Sequence, residues 1–269
     1  MSAAEPAADE HEDFYTDLAH DYEWLFPDEA IGRGGPVGAT SPGSTQLLAE
    51  ILATLPPGAR VLDSACGVGA DAIALARSGF AVTASDASAS MVAEARRRAG
   101  QFGAEITITQ STWQDLPERV PGAFELILCL GNAIVHTETR SGMISSLESL
   151  GNALGPDGVL VVDSRNWEWL YRTRPRIVPG RHVIERQGVR CSSLYIWTIP
   201  DDFDEPCRAE IVLLFQDADS ALSHRRYVID FRPFRYADLT DAVRAAGLVV
   251  IGDTYQPDSP FYAIAATRR

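Results

Sequence analysis

The stretch DSACGVGADA, Asp63–Ala72, stands between an apolar run, ARVL (59–62), and a helical run, AIALARSGF (72–80). Small residues at this density mark a strand turning into a helix. Gly67 and Gly69 let the backbone bend tightly and approach a ligand, while Ala65 and Ala70 keep side chains out of its way. Open α/β sheets bind their ligands at such turns, beyond the carboxyl ends of the strands.

Alternation continues outward from this point. The reading is helix 45–55, strand 60–65, helix 70–79, strand 81–86, helix 88–102, strands 106–111 and 124–130, helix 140–154 and strand 158–166. Strands alternating with helices at this spacing predict an α/β fold: a Rossmann-like, doubly wound, mostly parallel sheet of seven strands. Three β-branched and aromatic segments follow without helices between them, 181–199, 208–218 and 222–234, and predict an antiparallel insert. A helix over 236–248 and a closing hairpin, 249–255 with 261–269, complete the sheet. At the amino end, 1–13 reads as a disordered acidic tail, 14–26 as an amphipathic helix and 27–44 as a Gly/Pro-rich flap. The expected organisation is thus a cap and flap over 14–57, a ligand-binding core over 58–170 and 233–269, and an insert over 171–232.

Composition narrows the function. The chain of 269 residues carries a net charge of −14, which argues against nucleic-acid binding, where clustered cations must displace counterions. There is no apolar run long enough for a membrane span and no signal-peptide pattern at the amino end, so a cytoplasmic protein is expected. Four scattered cysteines, Cys66, Cys129, Cys191 and Cys207, suggest neither a metal site nor disulfides. A homo-oligomer is compatible with the aromatic-rich insert.

Charge also separates the candidate ligands of the turn. GVGADA fits a loose dinucleotide pattern, but a pyrophosphate at the helix amino end would be repelled by Asp63. S-adenosylmethionine has no phosphate and carries an ammonium and a sulfonium, which an acid at the strand tip attracts. Asp86, at the end of the second strand, either accepts both hydroxyl protons of a ribose or caps the following helix, where Ser88 is the alternative cap. Met91 serves the adenine ring or the core. Thr112 and Trp113 offer a polar contact and a flat wall for adenine.

Three segments together, VLDSACGVGADAIALARSGFAVTASDASASMVAEA (61–95), FELILCLGNAIVH (124–136) and GPDGVLVVDSRNWEWL (155–170), resemble class I S-adenosylmethionine-dependent methyltransferases, and most closely the glycine N-methyltransferase family. The resemblance covers roughly residues 58–172. It implies that Ala65 and Gly67 line the methionine part of the cofactor, that Asp86 holds the ribose, that Trp113 and Thr112 border adenine, and that Leu130 and His136 contact the cofactor. Asp63, Gly69, Met91 and Tyr15 complete the expected cofactor set. Asn132 and Arg165 would hold a carboxylate of the methyl acceptor, since a guanidinium binds carboxylate by paired hydrogen bonds; a structural salt bridge is the other use for Arg165. Trp24, Tyr195 and Arg232 are further acceptor-side candidates. The chain departs from the family in having no basic residue in SPGSTQLL (41–48), ahead of the first strand.

The expected activity is methyl transfer to a small carboxylate-bearing metabolite at the nitrogen of an amino acid, with no dedicated base. O- or C-methylation of a larger metabolite, a non-catalytic cofactor-binding protein and a NAD-dependent oxidoreductase are the alternatives.

Overall fold

The computed structural model describes residues 9–25 and 43–269. Residues 1–8 and 26–42, and with them most of the expected tail and flap, lie outside the described residues. Helix α1, Asp9–Tyr22, begins inside the stretch read as tail, and a 3-10 turn, Glu23–Leu25, continues it.

Five strands run parallel: β1 Arg60–Ser64, β2 Ala81–Asp86, β3 Thr107–Gln110, β4 Phe124–Cys129 and β5 Leu154–Arg165. The late strands β10 (Leu248–Asp253) and β11 (Phe261–Arg268) form the closing hairpin, β11 pairing antiparallel with β5. The seven-stranded order is β10-β11-β5-β4-β1-β2-β3. Its direction of winding reverses between β1 and β4, so a crevice opens at their carboxyl ends.

Neighbouring residues of each central strand feed opposite cores, as period-2 geometry requires. Val61, Leu126 and Leu128 pack with helices α2 (Thr45–Leu52), α3 (Ala70–Arg77) and α4 (Ala89–Phe102). Leu62, Ile127 and Cys129 pack with α5 (Leu116–Arg119), α6 (Arg140–Asn152), α7 (Trp167–Thr173) and α8 (Tyr236–Ala245). Burial on both faces explains why these strands read as nearly continuous apolar runs.

The insert is a four-stranded antiparallel meander, β6 Ile177–Arg186, β7 Val189–Thr198, β8 Cys207–Gln216 and β9 Leu222–Phe231. The β-rich segment 181–199 holds most of β6 and all of β7. Gln187 and Gly188 both have positive φ, 51° and 78°, the signature of a two-residue hairpin turn whose twist matches the strands. Strand β8 alternates strictly between buried odd and open even positions. Its buried residues, Ala209, Ile211, Leu213 and Phe215, join the same core as β5 and α7. The insert's inner face is therefore continuous with the core, and its outer face is open.

Candidate functional site

The backbone at the glycine turn takes left-handed φ at Ala65 (74°), Gly67 (52°) and Gly69 (77°). Ala65 N–H and Cys66 N–H both donate to Ser85 O, at 2.7 and 2.9 Å. Asp86 brackets the turn: one carboxylate oxygen accepts from Gly67 N–H at 2.8 Å and the other from Ser88 N–H at 2.9 Å. Ser88 caps α4 by accepting from Met91 N–H, so Asp86 is not the cap. With its oxygens aimed at backbone donors, Asp86 ties β2 to the β1 turn.

A cavity of about 650 Å³ lies over this turn. Among its lining residues are Tyr15, Asp63, Ala65, Gly67, Asp86, Met91, Thr112, Trp113, Leu130 and His136. Gly69, expected with them, is not in the lining. A Cβ there would stand 3.2 Å from Ala95 Cβ, so Gly69 serves the close packing of α3 on α4. The Thr112 hydroxyl donates to Asp115 and accepts from Asp115 N–H, a local turn that already engages it.

The cavity floor is acidic. Asp63 and Asp71 are almost fully buried and line it together with Asp86. Burial, then the charges of Asp71 and Asp86, hold the Asp63 carboxyl well above its usual range. Burial raises the Asp86 carboxyl as well, against the two amide hydrogen bonds that lower it. Asp63 Oδ2 has no hydrogen-bond partner among the described residues. An unpaired buried carboxylate oxygen beside two further carboxylates is costly unless a cation joins it. This donor set fits a ligand with ammonium and sulfonium groups and disfavours a pyrophosphate.

Helix α1 forms the opposite wall. Tyr15 OH and His136 Nε2 are 2.7 Å apart, and Tyr22 Cε1 lies 3.6 Å from the position a Cβ would take on Gly67. Burial pushes both tyrosine hydroxyls up, so they stay protonated. Tyr22 follows Tyr15 by seven residues, so the two share one face of the helix and both line the cavity. Two anchors hold this helix. Asp21, buried, accepts from Arg225 and Tyr227 of β9, while Glu23 pairs with Arg97 and Arg98 of α4 at 2.9 and 3.1 Å.

The acceptor-side candidates divide. Arg165, at the end of β5, has its guanidinium carbon 4.8 Å from both the Trp197 and Phe261 ring centres. No carboxylate contacts it among the described residues. Burial, the dominant effect, lowers Arg165 to about 10, with Arg181 adding to it and Tyr195 and Cys207 opposing; at neutral pH it is charged. The Asn132 side-chain carbonyl accepts from Arg165 N–H at 3.0 Å and from Ser164 Oγ at 3.1 Å. Asn132 N–H donates to buried Asp163, and its neighbours Gly131 and Ala133 line the cavity. Tyr195 lies close enough to act electrostatically on both Tyr22 and Arg165, linking the acceptor side to the cavity wall.

Trp24 and Arg232 fall elsewhere. Trp24 packs edge-on against Phe215, with Arg186 stacked on its ring, so its aromatic surface is used to seat the insert. Arg232 is exposed and lines a second cavity of about 330 Å³ that shares Thr137 and Glu138 with the first. Among the described residues there is no cluster able to hold a metal ion and no helix long and apolar enough to cross a membrane.

Comparison with known proteins agrees with this geometry. Residues 61–158 match the methyltransferase domain family. The chain is 34% identical over 109 residues to the glycine/sarcosine N-methyltransferase of Halorhodospira halochloris, covering 40% of this chain and 41% of that protein. It is 34% identical over 205 residues to glycine N-methyltransferase of Homo sapiens, covering 70% of this chain and 68% of that one. In structure it is similar to CalS10 with S-adenosylmethionine bound, an amino pentose methyltransferase from Micromonospora echinaspora, with a TM-score of 0.65, 20% identity and full coverage of both chains. The glycine turn, its acidic floor and these relatives converge, and the chain belongs to the glycine N-methyltransferase family of class I S-adenosylmethionine-dependent methyltransferases.

Proposed function

We propose that this protein methylates the amino nitrogen of a small amino acid or a closely similar amino carboxylate. The observation that carries this reading is Arg165, a withdrawn guanidinium between two aromatic rings with no carboxylate of the described residues against it. An acceptor carboxylate would supply the missing partner, and the Asn132 side-chain amide, whose carbonyl end is already fixed, would add an N–H. Relatives named for glycine and sarcosine N-methylation support the amine as the reacting group.

S-adenosylmethionine, when bound, supplies an electrophilic methyl on a positively charged sulfur. The chain's own contribution is positioning and exclusion of water, worth roughly 7–11 kcal/mol when two reactants are well aligned. Asp63, Asp71 and Asp86 would hold the cofactor's cationic and hydroxyl groups at the floor. Tyr15 and Tyr22, both protonated, would close the wall and offer hydroxyl oxygens to amine N–H groups. His136 is engaged with Tyr15, and no side chain is required as a dedicated base once the acceptor binds as the free amine; the proton released from the methylated nitrogen passes to water.

The adjoining 330 Å³ cavity favours one second reading, a larger amine acceptor extending past Thr137 and Glu138 toward Arg232. Labelled cofactor with a panel of glycine, sarcosine, other amino acids and amino sugars tests both. Transfer to a small amino acid is expected. Transfer to amino sugars alone would replace the first reading with the second.

A further inference from the structure

We propose that the Ser146 hydroxyl, presented by α6, reads the amino edge of the cofactor's adenine ring and so helps to select the nucleoside. Ser146 is fully buried and lines the cavity of about 650 Å³. Its Oγ has no hydrogen-bond partner among the described residues. A serine inside a helix can place its hydroxyl on the carbonyl four residues back, as Ser149 does with Ser145 O at 3.1 Å; Ser146 forgoes that bond. Helical side chains lean over the preceding turn. The residue on that turn is Gly142, which lines the cavity too and has no side chain to cover Oγ. A Cβ on Gly142 would stand 2.6 Å from Thr137 O, so any larger residue would push away the turn Ala133–Thr137 that carries His136. The hydroxyl is thus held open to the cavity.

The rest of the cavity decides which ligand group meets it. Asp63, Asp71 and Asp86 would take the cationic and hydroxyl groups at the floor, which leaves the flat, neutral base. Trp113 offers that base a wall, and it packs against the core cluster that holds Leu147, the residue after Ser146. The inference rests on adenine lying against Trp113. At that end the other side chains of the lining are engaged: the Gln110 amide donates to Ala87 O at 3.0 Å, the Ser111 hydroxyl donates to Thr112 O at 2.8 Å, and the Thr112 hydroxyl is held by Asp115. Adenine carries an N6 amino donor beside the N1 acceptor, and one serine hydroxyl both accepts and donates. Ser146 matches that edge. A buried hydroxyl without a partner destabilises the ligand-free chain, and the base removes the deficit when it binds.

Calorimetry of the full chain with S-adenosylhomocysteine and with its 6-deamino analogue, which has hydrogen in place of the adenine amino group, tests this. The wild type is expected to bind the analogue about 3- to 10-fold more weakly, the value of one neutral hydrogen bond. Ser146→Ala is expected to lose about the same factor for S-adenosylhomocysteine, to bind the two ligands alike, and to melt no lower than wild type without ligand. Ser146→Cys, with a weaker donor and acceptor of similar size, stands in should the alanine variant fail to fold. A variant that keeps the wild-type preference for the amino-bearing ligand overturns the proposal, as does a wild type that shows no preference. Trp113→Ala, measured alongside, is expected to weaken both ligands; if it does while Ser146→Ala changes nothing, the role of Ser146 falls and the placement of adenine stands, and if neither variant weakens binding the placement falls as well.

Discussion

The cofactor end of the parallel sheet and the inner face of the insert build their sites by different means. At the glycine turn the parts are close in sequence: Asp63, Gly67, Asp71, Asp86 and Ser88 fall within 26 residues, and backbone bonds to Asp86 and Ser85 fix them. Around Arg165 the parts come from β5, β7 and β11, and only tertiary packing of Trp197 and Phe261 sets the guanidinium. The first arrangement is written in local geometry and tolerates little change of residue type. The second depends on side-chain packing, and that is where an acceptor preference can drift while the cofactor is kept.

The contrast can be broken by substitution. Asp86→Ala strips partners from two backbone donors and from the cofactor ribose it is proposed to hold, and a loss of cofactor affinity of 100-fold or more is expected by calorimetry, at about 1.4 kcal/mol per factor of ten. Near-normal binding would show that the turn does not need its bracket. Arg165→Ala should raise the acceptor KM by about 10- to 100-fold, the value of a charge-assisted pair, with cofactor affinity held constant. A matched fall in both would merge the two regions into one unit.

Asp63→Asn sharpens the comparison from the other side. Because folding raises this carboxyl above 3.8, the folded chain without ligand binds a proton more readily than the unfolded chain. The ionised group therefore costs stability at neutral pH, and the cost fades as pH falls through the raised value toward 3.8. The variant should melt higher than wild type without ligand, by about 2–4 °C per kcal/mol recovered, and should bind the cofactor about tenfold more weakly. The melting difference should shrink in acid. Smallest of all, Gln187→Asn places a residue suited to positive φ in the β6–β7 turn and should stabilise by a few tenths of a kcal/mol in chemical denaturation, with no kinetic effect.

The sequence disclosed the sheet because its central strands are buried on both sides and its helices are punctuated by small residues and caps. It disclosed the turn because two of its three left-handed positions, Gly67 and Gly69, carry the residue that takes positive φ without steric cost. It hid the β6–β7 hairpin, since Gln187-Gly188 lacks the usual Asn or Asp. It also hid helix α7, whose only local sign is Asn166 accepting from Trp169 N–H as cap. The sequence motif containing Asn132 and Arg165 revealed a pair that the fold does bring together, through backbone bonds no spacing rule would specify. Trp24 and Arg232 were drawn toward the acceptor by residue type, whereas their positions are decided by Phe215, Arg186 and the loop after β9.

Tyr22 sits between Asp21, fastened to the insert, and Glu23, fastened to α4. Two neighbouring grips make the phenol ring between them a gauge of how far the two halves of the molecule stand apart. A shift of either the insert or α4 cannot then leave this ring, and the cavity wall it forms, where it was.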